Sequence, residues 1–125
     1  MPVTQRDLAD LNDLNDNVDL LIQVGNAGIG TSTVKINNRF VKDANGDTAI
    51  FNDTFTLDAG AADKLKRIEV ETKITPNPAI DDKSMILSYD LTNATFITNK
   101  PRTLKVPASA GLPSETFFIT ITILQ

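Results

Sequence analysis

Apolar and polar residues alternate with a period of two along most of this chain, and this pattern constrains the fold more than any other feature. Successive side chains of a β-strand point to opposite faces of the sheet, so alternation is typical of strands with one buried face. The clearest example is ETFFITITIL at 115–124, which places Phe117, Ile119, Ile121 and Ile123 on one face. The pattern predicts an all-β protein.

Seven or eight short stretches of this kind follow residue 16, separated by turn residues. They are NVDLLIQV (17–24), TVKINNRFV (33–41), TAIFNDTFTL (48–57), RIEVETKIT (67–75), SMILSYDL (84–91), ATFITN (94–99), TLKV (103–106) and ETFFITITIL. In TVKINNRFV we expect Val34, Ile36 and Phe40 to share a face. We predict an antiparallel β-sandwich of about 7–8 strands, immunoglobulin-like or jelly-roll-like, that forms a single domain over residues 17–125.

The first sixteen residues show a different spacing. In TQRDLADLNDLNDNVD, Leu8, Leu11 and Leu14 fall within one stripe of a 3.6-residue helix, and Thr4 stands where an N-cap would lie. We therefore predict a short amphipathic N-terminal helix in residues 1–16, with its regular part at 5–15. This helix packs its leucines on the sandwich, frays, or joins copies of the protein.

The last strand carries no charge after Glu115 and no proline, so its backbone must be paired. It is either central in its sheet or completes an interface with a neighbouring subunit. Phe118 and Leu124 lie on its second face, which the leucine helix or another subunit would cover. The interface candidates are therefore Leu8, Leu11, Leu14, Phe118 and Leu124.

A glycine-rich segment, VGNAGIGTST at 24–33, differs by one residue from a phosphate-binding P-loop. A P-loop needs a lysine where Thr31 stands and a helix behind it, whereas the residues after Ser32 alternate as a strand. We interpret the segment as a connection between strands in which the glycines adopt positive φ. Such a loop can also close over a ligand, so the ligand-loop candidates are Gly25, Asn26, Gly28, Gly30, Thr31 and Ser32.

A second turn segment, KDANGDTAI, places Asp43, Asn45 and Asp47 around a glycine. Alternating oxygen ligands resemble the start of a calcium loop, but Asn-Gly between two strands is also a strong hairpin signal. Thr54 stands where an EF-hand would carry its bidentate glutamate, which favours the turn. Calcium is the one cofactor candidate.

The chain has no Cys, no His and no Trp. Ser-His-Asp triads, thiolate nucleophiles and zinc sites with His or Cys ligands are therefore excluded. Asp81, Asp82 and Asp90 are the remaining candidates for acid and base in a glycoside hydrolase. Asp and Asn side chains of loops could instead bind a glycan without catalysis.

The net charge of −4 is concentrated in residues 1–19, where five aspartates accompany one arginine. No basic stripe is present to neutralise phosphates, so we expect no nucleic-acid partner. No apolar run approaches the roughly 20 residues of a membrane span. No signal peptide opens the sequence, which predicts a cytoplasmic protein by default.

These observations favour a non-enzymatic interaction or assembly subunit that binds copies of itself or another protein. The alternative is a loop-based domain that binds a glycan or calcium. A hydrolase built from carboxylates is a third interpretation, and the absence of His and Cys weighs most against it.

Overall fold

A computed structural model of the chain describes residues 3–13, 18–41, 49–51, 54–57 and 67–124. Within these residues it contains eleven β-strands and one turn of 3-10 helix at Ala108–Ala110. The strands are β1 (Val3–Leu11), β2 (Val18–Val24), β3 (Ile29–Ile36), β4 (Arg39–Phe40), β5 (Ala49–Phe51), β6 (Thr54–Leu57), β7 (Arg67–Thr75), β8 (Met85–Leu91), β9 (Ala94–Phe96), β10 (Thr103–Val106) and β11 (Glu115–Leu124).

The strands form two sheets. The larger sheet has the order β4-β3-β7-β11-β1-β9, with β5 also paired to β3, and the smaller sheet has the order β10-β8-β2-β6. The predicted all-β class is confirmed. The predicted number of strands is too low, because TVKINNRFV contains both β3 and β4, TAIFNDTFTL contains both β5 and β6, and residues 3–11 form β1.

One face of each sheet is buried, and the buried side chains of both sheets form one hydrophobic cluster. The alternation in the sequence produces this arrangement, since the apolar positions of each strand lie on its inner face. The fully or nearly buried members of the cluster are Ala9, Val18, Leu20, Ile22, Val34, Ile68, Val70, Ile74, Met85, Leu87, Tyr89, Leu91, Val106, Phe117, Ile119, Ile121 and Ile123.

The uncharged strand β11 lies between β7 and β1, so both of its edges are paired within the chain. Phe117, Ile119 and Ile121 point into the core and are at most 1% exposed. Of the two arrangements that the sequence allows, β11 adopts the central one. Its backbone needs no neighbouring subunit.

The predicted N-terminal helix is wrong. Residues 3–11 form β1, in which Asp7 and Ala9 are buried and Leu8 is exposed. The period of two is hidden in the sequence because two inward positions, Gln5 and Asp7, are polar. A helix this short is marginal without tertiary support, so pairing with β11 prevails over the local helical pattern. Residues 1, 2 and 14–16 of the predicted segment lie outside the described residues.

The pair of β1 and β11 also departs from the predicted antiparallel arrangement. These strands run parallel, in a register that joins Val3 to Phe117 and Asp10 to Leu124. Every other pair within the described ranges is antiparallel. Alternation identifies the buried face of a strand but carries no information on its direction, so the sequence could not reveal this pair.

The stretch TVKINNRFV is a hairpin rather than one strand. Asn37 and Asn38 have φ angles of 50° and 69°, and they turn the chain from β3 into β4. Asparagine tolerates this left-handed region, and two consecutive positive φ angles are typical of a tight hairpin turn. Phe40 therefore lies opposite Lys35 on the outer face, and the expected alignment of Phe40 with Val34 is wrong.

The assignment of residues 3–11 to a strand predicts different outcomes at two adjacent positions. Leu8→Ser changes a side chain that is 39% exposed, so the free energy of unfolding should fall by less than about 1 kcal/mol. Ala9→Asp places a carboxylate at a position with 0% exposure and should lower this free energy by about 3 kcal/mol or more. Unfolding in denaturant measures both values.

A helix with a leucine stripe predicts the reverse order. If Leu8→Ser lowered the stability more than Ala9→Asp, the assignment of β1 would be contradicted.

Candidate functional site

The outer face of the larger sheet carries three of the predicted interface residues. Phe118 and Leu124 project from β11, and Leu8 projects from the neighbouring β1, diagonally across from Leu124. Beyond Leu8 lies Ile97, which is 49% exposed and donates its backbone N–H to the carbonyl of Leu8 over 2.8 Å. With Phe40 of β4, these side chains make up what we call the outer-face patch.

The other two predicted interface residues do not join this patch. Leu11 points inward and packs against the core, because β1 places residues 8 and 11 on opposite faces. Leu14 lies outside the described residues. The expected stripe of three leucines is therefore replaced by side chains from four different strands or strand ends.

A shallow cleft of about 150 Å³ lies on the same face, lined by Phe118 and Phe40 among others. The ammonium group of Lys35 lies 4.7 Å from the centroid of the Phe40 ring, a cation–π contact. Arg67 Nε lies 3.2 Å from Glu69 Oε1, and that buried oxygen accepts no hydrogen bond within the described part of the chain. Aromatic rings and charges of both signs thus share this face.

The predicted ligand loop is shorter than expected. Residues 25–28 connect β2 in the smaller sheet to β3 in the larger one, and residues 30–32 belong to β3 itself. The hydroxyl of Ser32 is buried and lies 2.7 Å from the hydroxyl of Thr72 on β7, whereas Thr31 is exposed. Ser32 therefore contributes to packing between strands.

The expected positive φ angles do not occur at the three glycines of this segment. They fall instead on Asn26 and Ala27, with values of 56° and 52°. The glycines provide space: a Cβ added at Gly30 would lie 2.6 Å from Val24 Cγ2, and one at Gly28 would lie 3.1 Å from Val24 Cγ1. Close approach to Val24 of β2 is therefore the physical reason for Gly28 and Gly30, and close approach to Ile86 of β8 is the reason for Gly25.

The Asn26 side chain links this connection to a second loop, which precedes β8 and carries the hydrolase candidates Asp81 and Asp82. Its amide nitrogen donates to the carbonyl oxygens of Asp82 and Ser84, over 2.9 and 3.0 Å. The backbone N–H of Ser84 donates in turn to the Asp82 carboxylate over 2.9 Å. This bond, with a contribution from the Ser84 hydroxyl, lowers the pKa of Asp82 below its ordinary value. The two loops are therefore in contact, but the polar groups of Asn26, Asp82 and Ser84 are used in hydrogen bonds to one another.

Lys83 occupies the centre of the second loop. Its ammonium group donates to the carbonyl oxygens of Asn77 and Pro78, over 3.0 and 3.1 Å, and to that of Ile80. The loop therefore uses its own cation to satisfy three carbonyl groups, and these oxygens do not form a vacant site for a metal ion.

The calcium candidates Asp43, Asn45 and Asp47 lie outside the described residues, so a calcium site there stays a prediction. Among the residues that the structure describes, no group of three or more acidic side chains is placed to hold a metal ion.

The hydrolase candidates lie on different elements. Asp81 and Asp82 are in the loop before β8, where Asp82 is bonded to Ser84. Asp90 lies on the outer face of β8, and one of its oxygens accepts the N–H of Leu91 over 2.8 Å. A catalytic pair of carboxylates stays a prediction without a described contact to support it.

Sequence reasoning missed a buried polar link between the sheets. The Tyr89 hydroxyl of the smaller sheet donates to the Asp7 carboxylate of the larger one, and Thr98 donates to the other Asp7 oxygen over 2.7 Å. Gln5 donates to the Tyr89 oxygen over 2.5 Å and to the carbonyl of Pro101 over 2.7 Å. Asp7 and Tyr89 are only 2% and 3% exposed. Polar residues at inward positions could have revealed this link, but only once β1 was known to be a strand.

β9 and the segment after it support this link from the side. The ring centroids of Tyr89 and Phe96 lie 6.2 Å apart in an edge-to-face arrangement, and the Arg102 guanidinium lies 4.5 Å from the Phe96 centroid. Lys100 donates to the backbone carbonyl of Arg6 over 3.1 Å. A lysine and a proline beside this part of β1 protect it from pairing with another chain.

The chain matches no protein-family model, no curated protein and no solved structure. Within the part of the chain that the structure describes, no helix is long and apolar enough to cross a membrane. A function can therefore be inferred only from the surfaces and contacts above.

The link between Asp7 and Tyr89 predicts a specific response to alkali. Burial and the hydrogen bond to Asp7 raise the pKa of Tyr89 well above its ordinary value of 10.0. Its contribution to stability is therefore complete below about pH 10 and is lost as the pH rises above that value. Tyr89 is the only tyrosine, so its absorbance reports this group alone. We expect the phenolate to form only as the protein unfolds.

Tyr89→Phe provides the control for this experiment. It should lower the free energy of unfolding at neutral pH by about 1–3 kcal/mol, because Asp7 loses a donor, and should make the alkaline loss of stability shallower. A phenolate that forms near pH 10 in the folded protein would contradict the role of this link.

The tight contact at Gly30 gives a second prediction. Gly30→Ala should lower the free energy of unfolding by about 1–3 kcal/mol, because the new methyl group meets the stiff side chain of Val24. Gly25→Ala is the matched comparison, since its nearest contact would be 3.2 Å, and it should lower the stability less. Unfolding in denaturant measures the free energy of unfolding of both variants. An equal loss in Gly30→Ala and Gly25→Ala would show that the closer contact at Gly30 has no effect on stability.

Proposed function

We propose that this protein is a non-enzymatic assembly subunit that associates with a second copy of itself through the outer-face patch. The observation that carries the proposal is the concentration of exposed apolar side chains on one face of the larger sheet. Phe118, Leu124 and Leu8 are 36%, 41% and 39% exposed, and Ile97 and Phe40 are 49% and 56% exposed. Exposed apolar side chains that lie together are typical of protein interaction sites.

The charges on this face favour a second copy over a strongly charged partner. The outward positions of β1, β3, β7 and β11 carry residues of both signs in nearly equal number, although the whole chain has a net charge of −4. Two copies can therefore approach on this side with little repulsion, and opposite charges can pair across the contact. The charged positions are Arg6, Lys35, Arg67 and Lys73, and Asp10, Glu69 and Glu71.

The architecture suits such a role. We interpret the two sheets as the predicted β-sandwich; its type, immunoglobulin-like or jelly-roll-like, and its extent as a single domain stay predictions. Because the inner faces share one hydrophobic cluster, burial of the core uses only one side of each sheet. The exposed apolar side chains on the outer face of the larger sheet are therefore available for contact with another molecule.

The proposal predicts a defined oligomer. Light scattering should give a mass that approaches a multiple of the 13.6 kDa chain as the concentration rises. Phe118→Ser combined with Leu124→Ser should return the protein to the monomer, because it removes both apolar side chains that the central strand β11 contributes to the outer-face patch. Circular dichroism should show that the variant remains folded.

Leu112→Ser is the matched control, since Leu112 is 38% exposed but lies in the connection before β11. This variant should associate like the original protein. A monomer at every concentration would overturn self-association and direct attention to a different protein partner. An oligomer that survives the double substitution would exclude this face as its interface.

A further inference from the structure

The outer face of the smaller sheet contains a groove of about 360 Å³ that crosses β2, β8 and β10. Its outward-facing residues are mostly polar, and they pair across the strands: Leu21 lies opposite Asp90, and Gln23 lies opposite Ser88, which in turn lies opposite Thr103. The two sheets turn their inner faces to one core, so this groove lies on the side of the molecule away from the outer-face patch.

The polar groups of the groove differ in what they can donate and accept. The hydroxyls of Ser88 and Thr103 lie 3.0 Å apart and share one hydrogen bond, which leaves each with further capacity. One Asp90 oxygen accepts the N–H of Leu91, and the second makes no hydrogen bond within the described part of the chain. The exposed Gln23 carboxamide adds both a donor and an acceptor.

Arg102 also lines the groove and supplies donors only. One of its guanidinium nitrogens donates to the carbonyl of Lys100 over 3.1 Å, which leaves other N–H groups. Arg102 and Asp90 form no ion pair with each other, since the described residues contain a single salt bridge, between Arg67 and Glu69.

This set of groups favours neither sign of charge in a ligand. An anion is attracted by Arg102 but repelled by Asp90, and a cation is attracted by Asp90 but repelled by Arg102, so neither gains enough to offset its lost hydration. A ligand with several neighbouring hydroxyls fits all the groups, because each hydroxyl can donate to Asp90 and accept from Arg102 or Gln23. Leu21 provides an apolar surface for the C–H face of such a ligand. The volume lies within the usual range of small-molecule sites.

We propose that this groove binds a neutral saccharide. Gln23, Asp90 and Thr103 supply hydrogen bonds to its hydroxyls, and Leu21 packs against its ring. The site is independent of the assembly proposed above, because it uses the opposite sheet. One side of the protein would then hold the assembly together, and the other would present a saccharide site.

Nuclear magnetic resonance titration tests the proposal. Glucose, galactose, mannose, N-acetylglucosamine, maltose and lactose are added at millimolar concentrations to the isotope-labelled protein. We expect at least one of them to give saturable shifts at the backbone amides of Gln23, Ser88 and Thr103. Gln23→Ala combined with Thr103→Val should weaken that binding at least tenfold. Thr75→Val, on the other sheet, is the matched control and should leave it unchanged.

Charged sugars give a second readout. Glucuronate and glucosamine should bind more weakly than glucose, because attraction of each charge to one of Asp90 and Arg102 is offset by repulsion from the other, while the charge loses hydration. The proposal is overturned if no sugar of the neutral set gives saturable shifts in the groove, or if binding survives the double substitution. Tighter binding of glucuronate than of every neutral sugar would also overturn it, since the groove would then be an anion site. None of these results depends on the oligomeric state.

Discussion

The pairing of β11 on both sides is the constraint on which the rest of the structure depends. This strand has no charge after Glu115 and alternates large apolar residues over its whole length, so a free edge would pair with other molecules. β7 covers one edge in antiparallel register and β1 covers the other in parallel register. β1 is therefore required to pair this edge of β11 within the chain. Residues 3–11 cannot act as a detachable helix.

The link between Asp7 and Tyr89 follows from the same arrangement. Placing β1 beside β11 turns Gln5 and Asp7 toward the smaller sheet, where an apolar core would leave them unsatisfied. Tyr89 and Thr98 supply the donors, so the buried carboxylate is stabilised by hydrogen bonds. The result is a contact that specifies how the sheets lie against each other, because hydrogen bonds require a particular geometry and hydrophobic contacts do not.

The sequence predicts those elements whose buried face is mostly apolar, such as β7 with Thr72 as its one buried polar side chain, and it fails at β1, where Gln5 and Asp7 both point inward. At β1 the inward Gln5 and Asp7 are explained only by partners about eighty or more positions away, which no local pattern can reveal. At Asn37 and Asn38 the turn lies inside an alternating run, so the hairpin is hidden. The sequence identifies the three glycines as special, but their role in close packing depends on where Val24 and Ile86 lie.

The two candidate surfaces also differ in how far the sequence reveals them. Phe118 and Leu124 follow from alternation along a single strand, so the sequence identifies them. The groove on the smaller sheet gathers residues from β2, β8 and β10, and its polar positions read as ordinary solvent-facing residues in each strand taken alone. Only the strand order, which composition and periodicity leave undetermined, brings them together.

The parallel register of β1 and β11 also fixes where further polypeptide would leave the sheet. Val3 lies opposite Phe117, and Leu124 lies seven residues farther along β11. Val3 and Leu124 are therefore separated by about 23 Å along the strand direction. Chain added before Val3 and chain added after Leu124 would depart from opposite ends of the larger sheet. Copies fused in series would therefore extend as a row along the strand direction, whereas a circular permutation would need a linker long enough to return along the full length of β11.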